Sequence, residues 1–554
     1  MLEEKKTAGN NFIAQAGILA AAGIISRIIG LLYTSPLSGI IGDLGLGYYI
    51  SAYNYYTIIL LISSYSIPSA ISKVIAQKLA VHEYKNAHRL FRGALFYVLV
   101  VGGIASAFLY FGAGLFVEEA AIPVLRAFAP TIFIYGILGV LRGYFQAHKS
   151  MVQTSLSQIL EQIANAFVSV FAAYLLIRFT MGTMDVPADE AGQVTRAVWG
   201  AIGSALGTGT GVVVALIFMF IAYLRAKREI KGRIATDEHT ELDSAGTIFK
   251  TITFIVTPFV LNTAIYNLSA TVNNKLYTSI YPSVMKLDTL VTSSRYGIFG
   301  GKSLKIANIP IAFASAMAAA MIPSIAQLIA AKKDEETREK IGVAVKVTML
   351  ISIPCMVGLF VLAGPVTLLL FPNTASNLAL AERTLMALSV SVVFYALSTL
   401  NSSILQGLGK VNAPIINAAI ALVVQTIVGA ALLFFTPLDV YSIAIANTLY
   451  SLIMAVLNQL SVRKAIGYRQ EMLRTFVLPF LASLIMGVFA YLTFFVVMHF
   501  THNMRISVIP AVIVAIPVYF VALILIKGVT EEELKSFPKG HILAKLARKL
   551  KLFR

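Results

Sequence analysis

Stretches of about twenty mainly apolar residues recur along the whole chain, and they constrain its fold more than any motif does. A helix needs about 20 such residues to cross the roughly 30 Å hydrocarbon core of a bilayer. Fourteen stretches qualify: 12–40, 46–70, 91–116, 121–145, 154–178, 196–224, 248–274, 304–330, 342–371, 381–405, 413–436, 440–461, 474–499 and 506–526. Inside hydrocarbon only helices and closed barrels satisfy every backbone polar group. The short segments of alternating polarity that mark a barrel are absent. The expected architecture is an all-α polytopic membrane protein with 14 transmembrane helices.

Composition agrees. Apolar residues make up 58% and charged residues 13% of the 554, against about 45–50% and 25% in soluble domains. Mean hydropathy is +0.81. Such a chain cannot cover itself with polar surface in water. Soluble enzymes, DNA-binding proteins and secreted disulfide scaffolds are thereby set aside. The single cysteine, Cys355, lies in an apolar run; it permits no intrachain disulfide or cysteine-based metal site and reads as a small apolar filler. The first apolar stretch is too long for a signal-peptide core and is expected to stay as an uncleaved helix.

Fourteen crossings put both termini on one side. With the termini cytoplasmic, 33 of the 44 Lys and Arg fall inside and 9 outside, as the positive-inside rule requires. Cations near span ends are counted with the adjoining loop, which leaves Arg27 and Arg126 within spans. One outer segment departs from the rule. Between the seventh and eighth spans it carries Lys275, Lys286, Arg295, Lys302 and Lys305, which marks it as a candidate functional feature. The tail, 531–554, reads as a basic amphipathic helix on the anionic inner leaflet.

An internal repeat organises the spans. Ile67-Pro68-Ser69-Ala70-Ile71 ends the second span and Ile322-Pro323-Ser324-Ile325 ends the eighth, an offset of 255 residues. Gln146 follows the fourth span and Gln406 the tenth, an offset of 260. Six spans separate the copies, so both have the same orientation, related by an axis along the membrane normal. The expected domains are an N-terminal six-helix lobe (1–245), a parallel six-helix lobe (246–465), helices 13–14 (466–530) and the basic tail (531–554). Two such lobes would enclose a central cavity, and rocking one against the other moves cargo. This favours a transporter over an enzyme.

Residues that are costly in hydrocarbon narrow the site. Arg27 lies mid-span, in Ser26-Arg27-Ile28-Ile29-Gly30. An arginine there costs about 2.5–3.5 kcal/mol on insertion scales, so it must face a wet cavity or a partner. Its guanidinium stays charged and can grip phosphate through two parallel hydrogen bonds. The bland reading pairs it with Glu161 or with carbonyls. Glu161 itself reads as counter-ion to Arg27, as proton carrier, or as an interfacial carboxylate. Arg126 near an outer helix end either snorkels or binds cargo. Lys302 and Lys305 either anchor at the interface or line the cavity. Pro68, Pro310 and Pro323 can bend helices and are gating candidates. Tyr48, Tyr49, Tyr53, Tyr55 and Tyr56 form an aromatic belt or stack on sugars in a vestibule. Asp185, Asp189 and Glu190 read as a solvated loop.

Absences also count. There is no Gly-x-x-x-x-Gly-Lys-Ser/Thr, no His-Glu-x-x-His and no nucleophile elbow in the sequence, so no built-in ATPase, zinc protease or serine hydrolase is expected. A major-facilitator sugar transporter would carry a Gly-x-x-x-Asp-Arg-x-Gly-Arg type loop, which Lys73 to Arg92 does not. A membrane glycosyltransferase would need an outward carboxylate base and an acceptor groove, and the outer loops are short. A membrane scaffold gives no reason for Arg27.

Several motifs together resemble the multidrug/oligosaccharidyl-lipid/polysaccharide (MOP) flippase superfamily, in its polysaccharide-transporter branch. They are Ser26-Arg27-Ile28-Ile29-Gly30, Ile67-Pro68-Ser69-Ala70-Ile71-Ser72-Lys73, Leu141-Arg142-Gly143-Tyr144-Phe145-Gln146, Ser157-Gln158-x-x-Glu161-Gln162, Tyr296-Gly297-Ile298 through Asn308-Ile309-Pro310, and Leu405-Gln406-Gly407. Within that branch the chain resembles the stage V sporulation protein B group and the Gram-positive type of lipid II flippase. That resemblance implies two six-helix lobes plus two helices. It also implies export of an undecaprenyl-pyrophosphate-linked glycan across the cytoplasmic membrane for cell-wall, sporulation or polysaccharide synthesis. Arg27 matches a cavity arginine of such flippases, and Lys305 a basic position at the start of the eighth span. Two family features are missing: an arginine between Tyr48 and Pro68, and a sodium-binding acid in the seventh span. The implied partners are the lipid-linked glycan, membrane lipids and cell-wall synthesis proteins, with no nucleic acid. No cofactor is implied; the membrane potential or an ion gradient would drive transport. The competing reading is a drug/cation antiporter of the related multidrug-extrusion type, which should place acids in its cavity.

Overall fold

The computed structural model describes residues 2–65, 67–148, 150–183, 189–237, 242–531 and 548. Asp185 and, Arg548 apart, the basic tail beyond Glu531 lie outside the described residues. So does the side chain of Pro323. Among the described residues there is no strand. Eighteen α-helices follow one another among the described residues: α1 Leu2–Leu60, α2 Ile67–Ala80, α3 Tyr84–Phe111, α4 Ala113–Phe116, α5 Ile122–Ala147, α6 Met151–Thr183, α7 Glu190–Ala235, α8 Ala245–Lys275, α9 Tyr281–Met285, α10 Thr289–Ile298, α11 Leu304–Ala330, α12 Asp334–Val361, α13 Ala363–Leu370, α14 Leu378–Gly407, α15 Asn412–Phe435, α16 Val440–Ile466, α17 Leu478–Thr501 and α18 Met504–Leu525.

Eleven helical stretches among these residues are long and apolar enough to cross a membrane, where the sequence counts fourteen. The first, Ala21–Ser64, takes in two expected spans. They meet at Gly42, whose φ of 72° and ψ of 177° break the helix inside α1. Only glycine takes that backbone without strain. The expected spans 248–274 and 304–330 fall on α8 and α11.

Packing divides the chain into two compact units, Met1–Gly301 and Lys302–Arg554. In the first unit α10 lies directly on α1. A Cβ added to Gly47 would come 2.0 Å from the Ser293 carbonyl oxygen, and one added to Gly297 would come 2.2 Å from that of Asp43. Small residues let the two backbones touch, and α8–α10 join the first unit.

Each unit repeats one packing relation. In the first, α5 crosses the start of α2 through Gly143, whose Cβ would lie 2.7 Å from the Pro68 carbonyl oxygen. Ile67, Ile71, Leu141 and Tyr144 share one core there. In the second, α14 crosses α11 through Gly407, whose Cβ would lie 3.0 Å from the Ile322 carbonyl oxygen. Met321, Ile325, Ile404 and Leu405 share that core. The glycine in the second copy sits one turn later, since the counterpart of Gly143 is Ser403. A separate core joins α12, α17 and α18 around Val357, Met486, Ala511 and Tyr519.

Candidate functional site

Arg27 lies in α1, exposed, with no hydrogen bond or ion pair among the described residues. One turn on, Gly30 faces the Gln162 side chain of α6, so Arg27 lies near the α1–α6 contact. It does not meet Glu161. That carboxylate is held instead by Arg142 of α5, whose Nη2 donates to Glu161 Oε2 at 2.8 Å while Nε donates to Ser157 Oγ at 2.9 Å. The Arg142 side chain is 4% exposed and that of Glu161 16%. The guanidinium also lies 6.0 Å from the Tyr135 ring. The pairing of Glu161 with Arg27 is therefore corrected, and the counter-ion is a residue that the charge count had assigned to a loop. Arg142 stands in the Arg-Gly-Tyr-Phe-Gln motif, so the signal was present. Its 19-residue separation from Glu161 spans a helical hairpin, and no helical spacing rule reaches that far.

The tyrosines of α1 are packed and do not form a belt. Tyr48, Tyr49, Tyr55 and Tyr56 are buried; Tyr53 is 38% exposed. Tyr49 stacks on Tyr53 with centroids 5.8 Å apart, and Tyr56 stacks on Phe128 of α5 at 4.8 Å. Polar groups border this cluster. Asn165 of α6 donates to the Tyr33 hydroxyl at 3.3 Å and accepts from Ser169 at 2.8 Å. Thr208 of α7 lies 3.3 Å from the Tyr49 hydroxyl.

The cation-rich segment between the expected seventh and eighth spans is explained in part by packing. Lys275 Nζ donates to the carbonyl oxygens of Leu115 and Phe116 at 3.3 and 3.2 Å, closing the C-terminal end of α4. Ser293 donates to Glu118 Oε1 at 2.6 Å. Glu118 lies in the turn before α5, and burial pushes its carboxyl up to about 7. Lys302 is fully buried. Its ammonium donates to Thr374 Oγ1 at 2.8 Å and lies 6.0 Å from the Phe371 ring. It is thus held inside the second unit by Thr374. Lys305, one turn on in α11, is half-buried.

Arg126 lies exposed at the start of α5, where it donates to the Tyr110 carbonyl oxygen at 3.2 Å and sits 5.6 Å from that ring. Pro68 follows a π-helical turn, Leu61–Tyr65. A proline lacks the N–H that would bond four residues back, which loosens the turn before it. Pro310 and Pro323 both lie within α11. Asp189 caps α7, accepting from the Ala191 and Gly192 amides. Among the described residues no cluster of His, Cys, Asp or Glu could hold a metal ion.

The family model for lipid II flippase MurJ matches residues 89–511. This chain belongs to the MurJ family. Lipid II flippase MurJ of Bacillus subtilis (strain 168) is 24% identical over 494 residues, covering 85% of this chain and 86% of that protein. Stage V sporulation protein B of the same organism is 22% identical over 430 residues, 76% of this chain and 77% of that one. Among solved structures, lipid II flippase MurJ in an inward closed conformation aligns with a TM-score of 0.64, covering 91% of this chain and 97% of that one at 17% identity. A MATE transporter in complex with MaD3S aligns at 0.57, covering 82% and 96%, also at 17% identity. Both show the shared MOP fold. The MurJ family is one of transporters rather than enzymes, and the chain is a multi-pass membrane protein of it.

Proposed function

We propose that this chain exports an undecaprenyl-pyrophosphate-linked glycan, lipid II or a related cell-wall or polysaccharide precursor. Transport runs across the cytoplasmic membrane by alternating access of two six-helix lobes, 1–245 and 246–465, with both termini cytoplasmic. Arg27 carries the reading. It is exposed on a membrane-crossing stretch with no partner among the described residues. A guanidinium left facing hydrocarbon is costly, so that face of α1 is wetted and available to a diphosphate. Arg27 and Lys305 hold the diphosphate, with the prenyl tail left in lipid. Arg126 is held by Tyr110 and Lys302 by Thr374, so the diphosphate is assigned to neither. An inside-negative potential favours outward movement of the anion by about 2.3 kcal/mol per charge per 100 mV, so the potential or an ion gradient drives the cycle.

The test is rescue of a strain depleted of its own lipid II flippase, scored by externally accessible lipid II. The unaltered chain restores it, and the Arg27→Ala/Lys305→Ala double variant, present in the membrane at normal level, does not. Full rescue by that variant overturns the assignment of the diphosphate site.

A further inference from the structure

We propose that the open face of Tyr53 is a stacking surface for a sugar ring of the cargo. The inference rests on the lipid-linked-glycan reading above. Over positions 41–60 of α1, Tyr53 is the one exposed residue. A helix facing lipid exposes a whole stripe at i, i+3, i+4 and i+7. Here the stripe is nearly closed: Leu46 is 0%, Tyr49 3%, Ile50 7%, Tyr56 2% and Leu60 7% exposed, and Thr57 is half-buried. The opening at Tyr53 is local, as in a cavity wall, and unlike a lipid-facing side.

The ring is also held still. It stacks on Tyr49 at 5.8 Å and 17°, and meets Tyr56 at 5.8 Å and Phe128 at 5.9 Å on tilted edges. A rigid ring backed by three others loses little freedom on binding. Its borders are polar. Tyr49 meets Thr208, and the neighbouring Asn54 donates to the Tyr296 hydroxyl at 3.1 Å. A pyranose presents an apolar C–H face and a rim of hydroxyl and amide groups. A flat aromatic face bordered by hydroxyls and amides matches both, as recognition sites combine apolar surface with a few placed polar groups.

The full chain in nanodiscs should be titrated with lipid II and with its sugar-free counterpart, undecaprenyl pyrophosphate. Tyr53→Phe should bind both lipids as the unaltered chain does. Tyr53→Leu should lose about three- to tenfold affinity for lipid II, the worth of one aromatic contact, and none for undecaprenyl pyrophosphate. Tyr53→Met supplies a second ring-free variant, and unchanged melting shows that packing survives. Equal loss for both lipids, or no loss for either, overturns the sugar contact while leaving the flippase reading intact. An unaltered chain that binds neither lipid brings down the cargo reading itself and the sugar subsite with it.

Discussion

Arg142 of α5 and Glu161 of α6 form an ion pair of 2.8 Å in the first unit, with Ser157 taking the guanidinium's second donor. Buried pairs of this kind add little stability over apolar residues of the same shape, but breaking one strands a charge. Arg142→Ala and Glu161→Ala should each destabilise the protein by about 3 kcal/mol. The double variant should melt closer to the unaltered protein than either single one. A double-mutant cycle in detergent measures this, and additive losses would show that the pair is not coupled.

Gly297 meets α1 backbone to backbone. A methyl group there would come within 2.2 Å of the Asp43 carbonyl oxygen, and no side-chain rotation can relieve it. Gly297→Ala should lower stability by about 1–3 kcal/mol, seen as a drop in melting temperature. Gly182, whose Cβ would meet nothing within 4 Å, should accept alanine without such a drop.

Glu118 predicts a pH dependence. Burial raises its carboxyl to about 7, above the usual carboxylate range. The folded chain then keeps the proton where the unfolded chain has lost it. The contribution to stability is therefore fullest at acid pH. It falls as pH rises from about 4.5 to about 7, by up to about 3 kcal/mol. Glu118→Gln keeps an acceptor for Ser293 and should flatten the melting temperature between pH 5 and pH 8. A profile of unchanged slope would rule out Glu118 as its source.

Lys302 and Arg27 should separate stability from transport. Lys302→Met removes a buried charge while filling the same space, and should leave rescue of lipid II export near normal. Lys302→Ala opens a cavity and leaves Thr374 without its donor, and should cost stability. Arg27→Ala touches no described partner, so melting should hold while export falls. Loss of export in Lys302→Met with normal melting would reverse the two roles.

Much of this protein was legible in the sequence because a bilayer leaves so few choices. Apolar stretches of membrane-crossing length determined the all-helical class, since hydrocarbon tolerates no unpaired backbone. The Ile-Pro segments at 67 and 322 marked a repeat whose packing recurs, because the same small set of residues must fill the same helix crossing. The motifs around Arg27, Arg142 and Glu161 pointed to the MurJ family. Partnership was not legible. Whether Glu161 meets Arg27 or Arg142 depends on the rotation of α5 and α6 about their axes, which no spacing rule reaches across a hairpin. Lys302 read as an interfacial anchor or a cavity residue because its partner Thr374 is 72 residues away. The touching backbones of Gly47 and Ser293 likewise join segments that no local pattern pairs. Local hydrophobicity sets which segments enter the membrane. Only the tertiary packing of helices decides which buried polar groups find one another, because that energy comes from contacts between segments far apart in the chain.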